Sequence, residues 1–307
     1  MRALITGING FVGQYLKREL LENGYDVVGI DIHAAEEQEY MVDLLDLERV
    51  TDILQELKAD CIFHLAGQAS VAKSWVIPQK TMELNTIGTI NLLEAVRTLQ
   101  LDTKILLIGS SDQYGKIAEN QCLIGEETKQ NPKTPYAISK CAQEQLGVLY
   151  IETYGLKIYM TRSFNHIGVG QMRGYVVPDL AYGIAEIEAG LKNRLKVGNL
   201  KSYRDFTDIR DIVRAYRFII EKGVCGTIYN VGSGRKYQIR EILDLLIGMT
   251  NTKITVEEDI QKLRVSDVRS VQCDHSLLSN DTGWNPNISI QKTLKEILEF
   301  YRKQLLK

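Results

Sequence analysis

Apolar residues switch between two periods along the chain. Short strand-like runs at 2–6, 26–31, 60–65, 104–109 and 157–162 are separated by stretches with the 3.6-residue periodicity of helices at 11–22, about 80–99 and 135–154. Asn23 and Gly24 close the first helical stretch, as residues that tolerate a left-handed backbone commonly do. Apolar strands that alternate with helices build a parallel sheet covered on both faces. The expected fold is therefore α/β, a doubly wound parallel sheet. After Asn165 the rhythm loosens into helices at about 178–189, 209–221 and 239–249, a strand at 227–231, a turn at Gly232, Ser233 and Gly234, and a last amphipathic helix towards Lys307. We assign 1–164 plus about 200–231 to the main domain, and about 165–199 plus 232–307 to a smaller α/β lobe.

The first strand and first helix are joined by Thr6-Gly7-Ile8-Asn9-Gly10-Phe11-Val12-Gly13, with glycines at intervals of three. Glycine lets the backbone turn tightly and approach a pyrophosphate, which then meets the amides and positive dipole end of the helix. Asp31 stands at the end of the second strand, where a carboxylate accepts hydrogen bonds from the adenosine ribose and repels a 2′-phosphate. No arginine directly follows it. Together these predict a dinucleotide-binding domain of the Rossmann type, with NAD(H) favoured and NADP(H) as the other option. Asp43, after the second strand, suits either the adenine edge or a helix cap.

A second constellation lies further on. Tyr136 and Lys140 are four residues apart, on one face of a helix, downstream of a strand that ends in Ser110 and Ser111. A lysine charge close to a phenol lowers its pKa from about 10 towards the working pH, so the trio reads as an acid/base site for a hydroxyl proton. In the bland reading the same pair is a solvated helix face.

The formal net charge of -2 over 307 residues, with no basic stripe, favours neither nucleic acid nor an anionic membrane as partner. The first strand starts at Arg2 and no apolar run approaches the roughly 20 residues of a membrane span, so a cytoplasmic protein is expected. Cys61, Cys122, Cys141, Cys225 and Cys273 have no metal or disulfide spacing and read as reduced and structural. His64 and His166 lack a second histidine at ligand spacing; no metal is expected.

The glycine spacing, His64-Leu65-Ala66-Gly67, Asn85 with Gly88 and Asn91, Gly109-Ser110-Ser111-Asp112-Gln113-Tyr114-Gly115 and Tyr136 to Lys140 together resemble the extended short-chain dehydrogenase/reductase family over nearly the whole chain. Ser163-Phe164-Asn165-His166-Ile167-Gly168, Val197-Gly198-Asn199-Leu200, Arg204-Asp205-Phe206-Thr207-Asp208, Tyr229 to Gly234 and Leu263-Arg264-Val265-Ser266-Asp267 are similar to its nucleotide-sugar branch. Within that branch the wording is most similar to the GDP-4-dehydro-6-deoxy-D-mannose reductases, with the GDP-mannose 4,6-dehydratases next.

The resemblance implies that Leu44, Leu65, Ala66 and Gly67 join Gly7, Gly10, Phe11, Val12, Gly13, Asp31 and Asp43 around the dinucleotide. It implies that Ser110 binds the reacting C4 oxygen, Tyr136 exchanges its proton, and Lys140 holds the nicotinamide ribose. Ser111, Asn165, Asn199, Arg204 and Arg264 would hold a sugar nucleotide, GDP-linked in the nearest relatives; a guanidinium suits a diphosphate because its donors form a rigid fork. Homodimers are common in the family through helices matching about 80–99 and 135–154; Leu92, Leu93, Leu146 and Leu149 suit either that interface or the core. Two departures stand out. The reductases nearest in wording generally favour NADPH, against Asp31, and Val265 replaces a proline usual after the arginine, which leaves the base open.

Reduction, 4,6-dehydration and 4-epimerisation differ in what else reaches the sugar. A dehydratase needs a carboxylate to remove the C5 proton, and relatives supply glutamate where Asp112 stands here. Aspartate is one methylene shorter, and a displacement of about 1 Å at a reacting group costs on the order of a hundredfold. Asp112 is thus a base only in a dehydratase, and a hydrogen bond to its loop fits it equally. Reduction is the expected activity, followed by dehydration and epimerisation. The non-enzyme alternative is an NAD-binding regulatory protein on the same fold, against which the intact Ser110, Tyr136 and Lys140 stand.

Overall fold

A computed structural model describes residues 1–33, 38–117, 123–259 and 272–306. Its first half carries β1 (Arg2–Thr6), α1 (Phe11–Glu22), β2 (Asp26–Asp31), β3 (Glu39–Met41), α2 (Leu47–Leu57), β4 (Cys61–His64), α3 (Val71–Val76), α4 (Pro78–Met82), α5 (Gly88–Thr98), β5 (Lys104–Ser110), β6 (Leu123–Ile124) and α6 (Pro135–Tyr154). There follow β7 (Lys157–Ser163), β8 (Asn165–Ile167), α7 (Val176–Glu188), β9 (Leu195–Val197), β10 (Tyr203–Asp208), α8 (Ile209–Lys222) and β11 (Ile228–Val231). The chain ends in β12 (Lys236–Gln238), α9 (Ile239–Ile247), β13 (Val256–Glu258), β14 (Gln272–Cys273), α10 (Ser276–Thr282) and α11 (Ile290–Leu305).

Seven strands pair in parallel in the order β11-β7-β5-β4-β1-β2-β3. The direction of winding reverses between β1 and β4, and such a reversal opens a crevice at the carboxyl ends of the strands. Thr6 and His64 stand at that point, paired across the two strands. One face of the sheet is sealed by α1 and α8 around Ile5, Ile8, Leu16, Ile212 and Tyr216. The other is sealed by α2, α5 and α6 around Leu4, Ile53, Leu93 and Ile158. Each such side chain contributes about 1.5–3 kcal/mol by leaving water.

A third core, around Ile184, Leu195, Leu243 and Leu298, joins α7, α9 and α11 beside the small sheet β12-β10-β8. Three carboxylates tie this lobe down. Asp205 is fully buried and accepts from Ser233 N at 2.9 Å and Cys273 N at 3.0 Å. Asp208 forms a two-bonded pair with Arg210 and accepts from Thr293 Oγ1 at 2.6 Å, while Asp211 accepts from the amides of Asn287 and Ile288. The two parts of the molecule interlock: β10 pairs with β8 and β12 directly before α8 returns to the large sheet, and Leu278 and Trp284 pack into the core under α1 and α8.

Three local features differ from the sequence reading. Helix α2 was not expected, yet Val50, Ile53, Leu54 and Leu57 bury one face at helical spacing. Its cap is Asp46, which accepts from Arg49 N at 3.0 Å. The helix-cap role considered for Asp43 is therefore corrected: this exposed residue accepts from Leu45 N at 3.0 Å in the preceding turn. The single helix expected at 80–99 is α4 and α5 joined by one π-helical turn, Glu83–Ile87. Among the described residues no helix is long and apolar enough to cross a membrane.

Candidate active site

The glycine loop is shaped by contacts that admit no side chain. Gly7 has φ +72° and donates to Ile30 O at 2.7 Å, and a Cβ there would stand 2.9 Å from the Ala66 backbone. A Cβ on Gly13 would stand 2.4 Å from Gly7 O and 2.5 Å from Ile8 O. Gly10 caps α1 with no side-chain hydrogen bond, so the first-turn amides, beginning with Phe11 and Val12, keep their donors and the positive dipole end of the helix for an anion. Ala66 N donates to Thr6 Oγ1 at 3.1 Å, which draws Leu65, Ala66 and Gly67 against the loop. This cradle fits the pyrophosphate of a dinucleotide. Replacing Gly13 with alanine is expected to weaken NADH binding about tenfold through overpacking; a fluorescence titration within twofold of wild type would contradict the close-contact argument.

At the edge of this loop Asp31 accepts from Asn9 N at 3.0 Å and His33 N at 3.2 Å. Asn9 Nδ2 in turn donates to Glu39 Oε2 at 2.9 Å, and Glu39 is held by Lys17 at 3.0 Å. The rim therefore carries two carboxylates and one lysine that is already paired. Leu44 is buried, and its carbonyl accepts from Asn91 Nδ2 at 2.8 Å.

Ser110, Asp112, Tyr136 and Lys140 come together at the end of β5. Ser111–Gln113 forms a single 3-10 turn in which Ser110 Oγ accepts from Asp112 N at 3.2 Å and Gln113 Oε1 accepts from Ser110 N at 2.8 Å. Ser111 itself closes the turn, its carbonyl accepting from Tyr114 N at 3.1 Å. Tyr136 and Lys140 occupy the first two turns of α6, which begins with Pro135 and is capped by Thr134. Both are buried, at 9 % and 8 % exposure.

Burial and then the negative charge of Asp112 push the Tyr136 phenol up, with the hydrogen-bonded Ser110 hydroxyl pulling weakly the other way. Burial pushes the Lys140 ammonium down to about 8. Nζ of Lys140 donates to Ile108 O at 2.8 Å and to Gln143 Oε1 at 2.7 Å. The ammonium is held by Ile108 and Gln143, and desolvation of the ring is the largest influence on the phenol.

Two buried networks that the sequence did not suggest support these groups. Glu144 Oε2 accepts from Gln113 Nε2 at 2.9 Å and from Arg162 Nε at 2.8 Å, while Arg162 Nη2 donates to Oε1 at 2.7 Å. Gln113 thereby links the ion pair to the Ser110 backbone. Elsewhere Thr6 Oγ1 accepts from Ala66 N and is hydrogen-bonded to His64 Nδ1 at 2.9 Å. Thr89 Oγ1 donates to Asn85 O at 2.8 Å and accepts from His64 Nε2 at 2.9 Å. Nε2 of His64 therefore carries a proton, and burial, with Lys140 nearby, holds the imidazole down to about 3, which leaves Nδ1 to accept from Thr6 Oγ1. Asn85, turned inward by the π-helical turn, donates to Gln68 O at 3.0 Å and Ser139 Oγ at 2.9 Å. The glycine loop and α6 share one chain of hydrogen bonds.

The residues expected to hold a sugar nucleotide include Asn165 and Arg204 on the paired strands β8 and β10, and Asn199 before β10. Asn165 is exposed at the start of β8, whose next residue, His166, stacks on Phe11 with centroids 6.3 Å apart. Arg204 Nη1 donates to Tyr203 O at 2.7 Å, and Asn199 Oδ1 accepts from Lys201 N at 2.9 Å in a tight turn. Arg264 and Val265 lie outside the described residues, as does Cys122. Among the described residues no group of three or more metal-ligating side chains forms.

The chain matches the family described as GDP-mannose 4,6 dehydratase over residues 4–297. It is 35% identical to GDP-6-deoxy-D-mannose reductase of Pseudomonas aeruginosa, over 99% of this chain and 98% of that protein. The solved structure of RMD from Pseudomonas aeruginosa complexed with NADPH superposes with a TM-score of 0.90 at 35% identity, covering 99% of both chains. That of UDP-glucose 4-epimerase from Thermus thermophilus in complex with NAD gives 0.87 at 28% identity, covering 98% and 99%. A parallel sheet wound about β1 and β4, a glycine loop closed to side chains and a Ser-Tyr-Lys cluster at the end of β5 agree with these likenesses, and the chain belongs to the GDP-mannose 4,6-dehydratase family of NAD(P)-dependent extended short-chain dehydrogenases/reductases.

Proposed function

We propose that this enzyme reduces the 4-keto group of a GDP-linked 6-deoxyhexose, converting GDP-4-dehydro-6-deoxy-D-mannose to GDP-D-rhamnose. The observation that carries this reading is the likeness over 99% of the chain, at 35% identity, to GDP-6-deoxy-D-mannose reductase, together with Tyr136 and Lys140 buried beside Ser110 at the end of β5. Carbonyl reduction consumes a proton, whereas dehydration and epimerisation both begin by taking one from the C4 hydroxyl. A bound nicotinamide dinucleotide supplies the hydride. Tyr136 then gives its proton to the C4 oxygen, Ser110 stabilises the developing alkoxide, and the Lys140 ammonium holds the nicotinamide ribose. Gly7, Gly10, Phe11, Val12 and Gly13 hold the pyrophosphate, with Leu44 and Leu65 to Gly67 lining the site; Ser111, Asn165, Asn199, Arg204 and Arg264 hold the sugar nucleotide.

Asp31, backed by Glu39, favours NADH over NADPH by repelling a 2′-phosphate. The large sheet serves the dinucleotide and the smaller lobe the sugar nucleotide, with β10 and 276–284 as the interlocking segments. A homodimer in the cytoplasm belongs to the same reading: Leu92 and Leu93 are fully buried, but Ile87, Ile138 and Leu149 are exposed on the helices that would meet a second copy. The dehydratase remains the second reading because Asp112 stands in the turn after Ser110, where the dehydratases of the family carry their glutamate.

The test follows NADH and NADPH absorbance with GDP-4-dehydro-6-deoxymannose, beside a reaction with GDP-mannose as the only sugar. Stoichiometric oxidation with the keto sugar, faster for NADH, is expected, and Asp31→Ser should move the preference towards NADPH. No oxidation, together with a 4-keto product from GDP-mannose, would make the enzyme a dehydratase with Asp112 as base.

A further inference from the structure

An ammonium has three N–H donors, and two of those on Lys140 go to neutral acceptors, Ile108 O and Gln143 Oε1. Gln143 is 2% exposed and sits three residues after Lys140, on the same face of α6. With its oxygen turned to Lys140, its own Nε2 is buried without a hydrogen-bond partner. Buried N–H groups in that condition are uncommon. Rotating the amide would aim Nε2 at the ammonium, donor against donor, so the contact with Lys140 dictates the orientation. The side chain lines a narrow void beneath Lys140 with Leu107, Gly109, Met160 and Thr161.

We propose that Gln143 is a positioning residue of the hydride-transfer site, its amide oxygen holding the Lys140 ammonium charged and fixed against β5. This rests on the reading of Lys140 as the partner of the nicotinamide ribose and Tyr136. The titratable groups around Lys140 leave that task to the two neutral acceptors. His64 on β4 is neutral, and burial pushes the Tyr136 phenol on α6 up. Glu144 on α6 is bound through both oxygens to Arg162 on β7, and Asp112 lies in the 3-10 turn after β5, its charge acting on the Tyr136 phenol. With a folded pKa of about 8, Lys140 is charged below that pH and loses its charge as pH rises through it. A hydrogen bond to a charged group is among the stronger kinds, so removing the acceptor displaces that midpoint.

The experiment titrates the 13Cε resonance of Lys140 in protein labelled with [13C]lysine, assigned by its disappearance in Lys140→Arg. Gln143→Met, which keeps the volume, is expected to lower the midpoint by about one pH unit, and Gln143→Glu to raise it by about as much. The alkaline limb of kcat/KM for NADH oxidation should move in the same two directions. Identical midpoints in wild type and both variants would overturn the contact. Displaced midpoints with an unmoved pH-rate profile would instead overturn the role of Lys140 in turnover, and with it the positioning role. A general loss of structure would lower activity in both variants without moving the two limbs in opposite directions.

Discussion

Tyr136→Phe is expected to lower kcat for keto-sugar reduction by about a thousandfold while leaving the affinity for NADH within about twofold of wild type, since positioned acid catalysis contributes roughly a hundred- to ten-thousandfold. The ring is 9% exposed and phenylalanine fills the same volume, so the cost falls on the proton and not on the packing. Dinucleotide affinity rests on the glycine loop and on Lys140, which hydrogen-bonds to Ile108 and Gln143 and keeps its place without the hydroxyl. Single-turnover NADH oxidation and fluorescence titration separate the two quantities. Because burial and Asp112 hold the phenol above its ordinary value, the wild-type rate should carry no alkaline loss from Tyr136 below the region where Lys140 loses its charge. A rate within tenfold of wild type would mean that the proton comes from another group, and the carboxyl of Asp112 would be the first to test.

What could be read from the sequence is what chemistry imposes on contiguous residues. The glycine loop needs its strand before and its helix after, so Gly7 to Gly13 and Asp31 were legible, and Tyr136 with Lys140 follows from helical spacing alone. Burial was not legible: Lys140 is held by Ile108 and Gln143, and the Tyr136 ring beside it is desolvated. Glu144 and Arg162 carry no pairing signal in the sequence, yet they are 4% and 5% exposed and form an ion pair across 18 residues. Glu144 lies four residues after Lys140 on the same helical face, which was the available signal. The π-helical turn at Glu83–Ile87 was hidden because one extra residue in a turn barely disturbs a 3.6-residue period. Strands such as β8 and β12, three residues each, exist only through pairing with β10 and leave no pattern of their own. Asp205, read as part of a substrate motif, proves to be a tertiary anchor for Ser233 and Cys273.

Arg162→Met is expected to destabilise the protein by about 3–5 kcal/mol, because it leaves the Glu144 carboxylate buried and unpaired. Glu144 would keep its bonds from Gln113 and Gln130 but lose both charged donors, and Tyr114 would lose the guanidinium stacked 4.9 Å from its ring centre. The same change should reach the active site, since Gln113 bonds Glu144 through Nε2 and the Ser110 amide through Oε1. A shift of Gln113 towards the stranded carboxylate would loosen Ser110 and lower kcat even in the fraction that remains folded. Arg162→Met combined with Glu144→Leu should recover much of the stability, because replacing a buried pair by apolar groups of similar volume is often close to neutral, yet it should not restore kcat, because Gln113 would still lack its acceptor. Urea unfolding midpoints and single-turnover rates on wild type and the two variants check both halves. A single-variant loss below about 1 kcal/mol would mean that the pair behaves as an exposed one, and full recovery of kcat in the double variant would separate Ser110 from the ion pair altogether.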